Sequence, residues 1–121
     1  MADHNRTLGK WGEETAAAHL LARGYTILAR NARTPYGELD LVATDGRVTV
    51  FVEVKTRATT AFGPPEAAVT PRKQAHLLAA AEAYLQAHPE APGDWRVDVV
   101  AIQRRPAPQA PEIVHFENAI S

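Results

Sequence analysis

The sequence predicts an α/β domain on a mixed sheet, with elements in the order α-β-β-β-α-β. Three observations carry that expectation. Two long stretches repeat apolar residues at helical spacing, four shorter ones are rich in Val, Ile and Leu, and Thr70-Pro71 opens a helix between strands. At 121 residues the chain fits one domain with one core. The expected domain spans residues 1–121, with a core at about 7–103 and a C-terminal strand and tail at 104–121.

The first helix is expected over residues 7–23, where Leu8, Trp11, Ala16, Ala17, Leu20 and Leu21 recur. Gly24 follows as a C′ residue in the left-handed conformation. Gly9 and Gly12 weaken the helix start, but they permit close approach of a backbone or a phosphate, or tight helix packing. Residues 25–30 read as a strand, and 38–44 and 47–55 as two more. Asp45-Gly46 between them suits a two-residue type I′ hairpin turn. Residues 59–65 are expected as loop.

Thr70 as N-cap and Pro71 at the first helical position start a second helix reaching about residue 87. Leu77, Leu78, Ala81, Tyr84 and Leu85 form its apolar stripe. Two prolines and a glycine between His88 and Gly93 end it. Residues 95–103 are apolar enough for a central strand, set parallel to the 47–55 strand by the helical crossover. After a proline-rich loop at 105–111, residues 112–116 form a short extra edge strand.

Composition narrows the function. Apolar residues at 45% and charged residues at 22% describe an ordinary globular protein. The absence of cysteine excludes disulfides, Cys-ligated zinc and thiol chemistry. The start, MADHNRTLGK, has no apolar core for a signal peptide, and no apolar run approaches the ~20 residues of a membrane span, so a cytoplasmic protein with no membrane partner is expected. A net charge of −1 does not mark a nucleic-acid binder. Basic residues nevertheless gather locally at Arg30 with Arg33, Lys55 with Arg57, Arg72 with Lys73, and Arg104 with Arg105.

The hairpin carries the chemistry. A turn at Asp45-Gly46 would pair Thr44 with Arg47, Asp40 with Phe51 and Glu38 with Glu53. One face would then hold Glu38, Asp40, Glu53 and Lys55, and the other Leu39, Leu41, Ala43, Val48, Val50, Val52 and Val54. Asp40 and Glu53 become diagonal neighbours about 7–8 Å apart, near enough for their carboxylates to share one divalent cation. Lys55 on the same face would offset charge, position a water or stabilise an oxyanion on phosphorus. The plain alternative is an exposed polar face with salt bridges, the usual state of a half-buried sheet. Phe51 and Val42 share the charged face, which argues against full solvation. Glu38 lies near enough to be an alternative ligand.

Glu13 falls inside the apolar arc of the first helix, near Gly9, Ala16, Ala17 and Leu20, whereas Glu14 points away. An acid on an inward arc needs a partner, either a metal or an arginine such as Arg30 or Arg57.

Gly12-Glu13-Glu14, Arg30-Asn31, the run Gly37 to Val42, the run Phe51 to Arg57, Phe62-Gly63, Lys73 and the run Arg96 to Val100 together resemble the YraN family of small bacterial proteins. The resemblance covers roughly residues 8–102. It implies a restriction-endonuclease-like fold, similar in plan to archaeal Holliday-junction resolvases. Asp40, Glu53 and Lys55 then match the PD-(D/E)XK signature, with Leu39 in place of its proline, and Glu13 matches the helix-borne acid of resolvase-like members.

The implied activity is a Mg²⁺- or Mn²⁺-dependent endonuclease on DNA, in particular branched or recombination and repair intermediates. Asp40, Glu53 and Glu13 would hold the metal, Lys55 would assist the attacking water, and Arg57, Lys73 and Arg30 would contact phosphates. A homodimer would suit a two-stranded substrate. The alternatives are a non-catalytic nucleic-acid-binding or adaptor domain that keeps the fold, favoured by the missing global positive charge, and a structural protein whose hairpin charges are salt bridges.

Overall fold

The computed structural model describes residues 2–58, 69–91 and 93–120. The expected loop at 59–65, with Phe62-Gly63, lies outside the described residues. The elements are α1 (Ala2–Ala22), β1 (Thr26–Thr34), β2 (Gly37–Thr44), β3 (Val48–Arg57), α2 (Pro71–Ala87), β4 (Asp94–Gln103) and β5 (Glu112–Ile120). They form a five-stranded sheet in the order β1-β2-β3-β4-β5. Neighbours are antiparallel except β3 and β4, which run parallel across the α2 crossover. The α/β order predicted from sequence is therefore the observed one, and the extra edge strand is β5.

Both helix ends marked by strong caps form as expected. Gly24 has φ 92°, its N–H donates to Leu21 O at 3.1 Å, and Tyr25 N donates to Leu20 O at 3.0 Å. This is a Schellman motif, which satisfies carbonyls the last helical turn would leave open. Thr70 caps α2 through Oγ1, which accepts from Lys73 N at 3.2 Å, with Pro71 opening the helix.

The two faces of the sheet bury separate cores. On one, Ala16, Ala17 and Leu20 of α1 pack on Leu41, Ala43, Val50, Val52, Val100 and Ile102. Gly12 is buried there because α1 rides close to β3: a Cβ at this position would overlap Thr56 Oγ1. On the other face, Leu77, Ala80, Ala81 and Tyr84 of α2 cover Leu39, Val42, Phe51, Val97 and Val99. Phe51 meets Tyr84 and Trp95 edge-on at 5.7 and 5.8 Å between centroids. The charged face of the expected hairpin is thus a second core face, roofed by α2.

Three elements run longer than the sequence predicts, with α1 beginning at Ala2, β1 reaching Thr34 and β5 reaching Ile120, and two features around the hairpin differ in kind. The β2–β3 connection is not a two-residue turn, because pairing begins at Thr44↔Thr49 and proceeds through Val42↔Phe51 to Leu41↔Val52. Side chains explain the longer loop. Asp45 Oδ1 accepts from Arg47 N at 2.9 Å and Val48 N at 3.1 Å, while Thr44 Oγ1 donates to Val48 O at 2.7 Å. These bonds take backbone groups that a tight turn would pair across the strands. The register shifts by two, an even number, so Val42 keeps the face of Phe51.

The second departure lies at Asp40. Leu39 packs under α2 but Leu41 packs under α1, although residues two apart in a strand share a face. Alternation therefore breaks between them, and Leu39 is not on the face of Leu41 as expected. Across on β1, Asn31 stands between the pairs Arg30↔Leu41 and Ala32↔Leu39 with a left-handed φ of 51°. Asparagine tolerates that conformation better than most residues.

Candidate active site

One step beyond the last β2–β3 pair, the observed register brings Asp40 level with Glu53, a closer relation than the diagonal one expected. Glu38 is not opposite Glu53. The ladder stops here, and the Asp40 carboxylate replaces it, with Oδ2 accepting from Val54 N at 2.9 Å. Burial, and then the Glu53 carboxylate beside it, push the Asp40 carboxyl up to about 8. The Val54 bond works the other way, while a hydrogen bond to Glu53 and the charge of Glu13 add to the rise. Two acids crowded in a low-dielectric place do not both ionise readily without a cation.

Glu53 is 3% exposed, and its Oε2 meets Lys55 Nζ at 3.2 Å and Lys73 Nζ at 3.4 Å. Lys55 comes from the same strand, two residues on. Lys73 comes from the first turn of α2, which the Thr70 cap fixes in place. The sequence points to Lys73 only as an expected phosphate contact, and its place beside the buried acid comes from the structure.

Glu13 is half-buried on α1, and its partner is Asn31 rather than Arg30 or Arg57. Asn31 Nδ2 donates to Glu13 Oε1 at 3.0 Å and to Glu38 Oε1 at 3.1 Å. In sequence Asn31 stands out only as part of the Arg30-Asn31 motif and without a role, although an asparagine inside a strand is a recognisable signal for a left-handed break. A cleft of about 370 Å³ runs alongside, lined by Leu8, Gly9, Glu13, Lys55 and Arg57 among others. Arg30 is exposed on β1, one residue before Asn31. Glu14 is exposed, as its helical phase requires.

The structure thus joins Asp40, Glu53, Lys55 and Lys73 directly, and sets Glu13 and Arg57 with Lys55 along one cleft. Among the described residues, no three His, Cys, Asp or Glu side chains form a ready cation cage. The donor set is therefore a carboxylate pair. That fits a hard dication such as Mg²⁺, which commonly takes one or two carboxylates and fills its remaining positions with water and substrate phosphate.

An α-β-β-β-α-β core with acids adjoining on β2 and β3, and a lysine two residues past the second acid, defines a domain of restriction-endonuclease-like plan. Comparison with known proteins supplies the family. The uncharacterised protein family UPF0102 matches residues 12–102, and the chain belongs to that family, the YraN family. It is 55% identical over 98 residues to a UPF0102 protein of Syntrophomonas wolfei, covering 81% of this chain and 85% of the relative. A UPF0102 protein of Geobacter sulfurreducens is 47% identical over 116 residues, covering 96% and 90%. One of Frankia alni is 50% identical over 99 residues, covering 82% of each chain. Among the described residues, no helix is long and apolar enough to cross a membrane.

Proposed function

We propose that this protein is a divalent-metal-dependent endonuclease that hydrolyses phosphodiester bonds in DNA, acting on branched recombination or repair intermediates. The observation that carries this reading is the buried Glu53, paired with Lys55 at 3.2 Å, beside the half-buried Asp40. A purely structural salt bridge has no use for a second, half-buried acid whose carboxyl resists ionisation. Such crowding is costly unless a ligand offsets it.

Asp40 and Glu53 would hold Mg²⁺ or Mn²⁺, with Glu13 nearby. When bound, the ion would polarise the phosphoryl oxygen and favour ionisation of the attacking water. Asp40, anchored on Val54 N, contributes a fixed carboxylate. Lys55 moves from its ion pair with Glu53 toward the charge that develops on the non-bridging oxygens. Lys73 stays paired with Glu53 while Lys55 does so. Arg57 on the cleft wall, and Arg30 on β1, would position phosphates without reading sequence.

The deciding experiment is a cleavage assay on linear, flapped and four-way DNA with Mg²⁺ or Mn²⁺. Metal-dependent cutting that is lost in both Asp40→Ala and Lys55→Ala supports the proposal. DNA binding without cutting by the wild type would instead favour an adaptor role. Cutting that persists in both variants would place the chemistry elsewhere.

A further inference from the structure

A second polar cluster joins α1 to the far side of the sheet, and the nuclease reading does not use it. His115 on β5 is 5% exposed, and its Nε2 lies 2.8 Å from Asp98 Oδ2 on β4. Asp98, wholly buried, also accepts from Arg96 Nε at 3.0 Å and from Asn118 N at 2.8 Å. Burial alone would raise the Asp98 carboxyl, but the bonds from His115, Arg96 and Asn118 hold it below the ordinary range. Asp98 thus takes Nε2 of His115, and Nδ1 of the same ring is turned toward α1. There His19 presents Nε2, 3.4 Å from His115 Nδ1.

That separation is long for a nitrogen–nitrogen hydrogen bond, which is best near about 2.9–3.0 Å. It is what two imidazoles would show around one tetrahedral ion. Bonds of about 2.0–2.1 Å at the tetrahedral angle put adjacent nitrogens about 3.3–3.4 Å apart. The ring centroids are 5.4 Å apart with planes at 61°, so neither ring stacks on the other and both nitrogens meet across one gap.

We propose that His19 and His115 form a binding site for a borderline transition-metal dication, with Zn²⁺ as the type, separate from the Asp40–Glu53 pair. Imidazole suits such ions, whereas Mg²⁺ and Mn²⁺ prefer carboxylate oxygen, so the two sites sort different metals. Asp98 stands where metal-ligating histidines usually have a carboxylate, on the other ring N–H, where it fixes the tautomer and strengthens the donor. His19 is only half-buried, which provides an entry path.

Water completes the coordination. Two protein ligands and the nearby Arg23 charge set the expected affinity in the micromolar range. The bound ion clips the last turn of α1 to β5. Glu13 lies six residues before His19 on the same helix, about 9 Å along its axis, so the clip also holds the element that carries the acid.

The test uses tag-free, EDTA-stripped protein titrated with Zn²⁺ against a chromophoric chelator, in excess Mg²⁺. One Zn²⁺ per chain is expected, with affinity lowered at least about tenfold in His19→Gln and unchanged in Asp40→Asn. His19→Gln changes a half-exposed helical position, and its fold is verified by circular dichroism. Nitrogen-15 spectra of the wild-type imidazoles need no variant and should show Zn²⁺ shifting His115 Nδ1 and His19 Nε2. The proposal is overturned by absence of micromolar binding, by affinity that survives His19→Gln, or by affinity that follows Asp40→Asn. Loss of cleavage with Zn²⁺ binding intact would overturn only the nuclease reading.

Discussion

Asp40→Asn should make the protein more stable at alkaline pH while abolishing its binding of Mn²⁺. The wild-type Asp40 carboxyl rises from the ordinary 3.8 to about 8, because it is buried beside Glu53. Between those values the folded chain holds a proton that the unfolded chain has released. Stability from this group is therefore complete below about pH 4 and is lost as pH climbs through about 8. A rise of about four pH units, at about 1.4 kcal/mol each, bounds the loss at roughly 6 kcal/mol. That is comparable with the whole stability of a small domain, about 5–15 kcal/mol.

The assay is urea unfolding at pH 5, 7 and 9 in EDTA for both proteins, with calorimetric titration of Mn²⁺ in two buffers of different ionisation enthalpy. Wild-type stability should fall with pH while the Asn variant stays flatter, since its amide oxygen still accepts from Val54 N. Binding of Mn²⁺ to the wild type at pH 7 should release close to one proton. Parallel pH profiles for the two proteins, or Mn²⁺ binding without proton release, would refute the reasoning.

Other perturbations have equally definite outcomes. Lys55→Ala should lower metal-dependent cleavage by about 10²–10³ in kcat, the usual loss when one preorganised donor to an oxyanion is removed. Arg57→Ala should weaken DNA binding evenly across sequences and reduce the salt slope by about one, measured by anisotropy at several salt concentrations. Gly12→Ala should cost about 1–3 kcal/mol in urea unfolding, because its Cβ would stand 3.0 Å from Thr56 Cβ as well as overlapping the hydroxyl. Asp98→Ala should cost about 3–5 kcal/mol at pH 7, because it removes the buried carboxylate that Arg96, His115 and the Asn118 amide share. The wild-type share of Asp98 has the opposite sign to that of Asp40. Its pKa is depressed, so its stability is present above about pH 4 and lost only as pH falls through the lowered value, which an acid titration by circular dichroism would follow.

What the sequence made legible is what local chemistry decides. The helix ends at Gly24 and Thr70-Pro71 depend on caps whose partners lie within a few residues, and both stand as read. The pairing of β4 with β3 follows from the crossover rule. The hairpin register was misread because Asp-Gly favours a tight turn on its own, while Thr44 and Asp45 outvote it by bonding four loop backbone groups. Grouping Asp40 with Glu53 survived only because the register error was even. The break at Asp40 has no local signal on β2 and shows in sequence only through Asn31, on another strand. Lys73 reaches Glu53 through the packing of α2 on the sheet, and no spacing within one segment encodes that contact.

Among the described residues, the two non-glycine ones with left-handed backbone, Asn31 at φ 51° and Asn118 at φ 50°, fall one on each outer strand of the sheet. An outer strand offers an open row of amide and carbonyl groups to any other chain, and a kink or a charge is the common defence. β1 adds the exposed Arg30 and Arg33, and β5 adds the exposed Glu112 and Glu117. Both borders are thereby poor templates for a long continuous ribbon with a second molecule. In a two-fold assembly, contact through helices or loops would leave the sheet five strands wide in each copy.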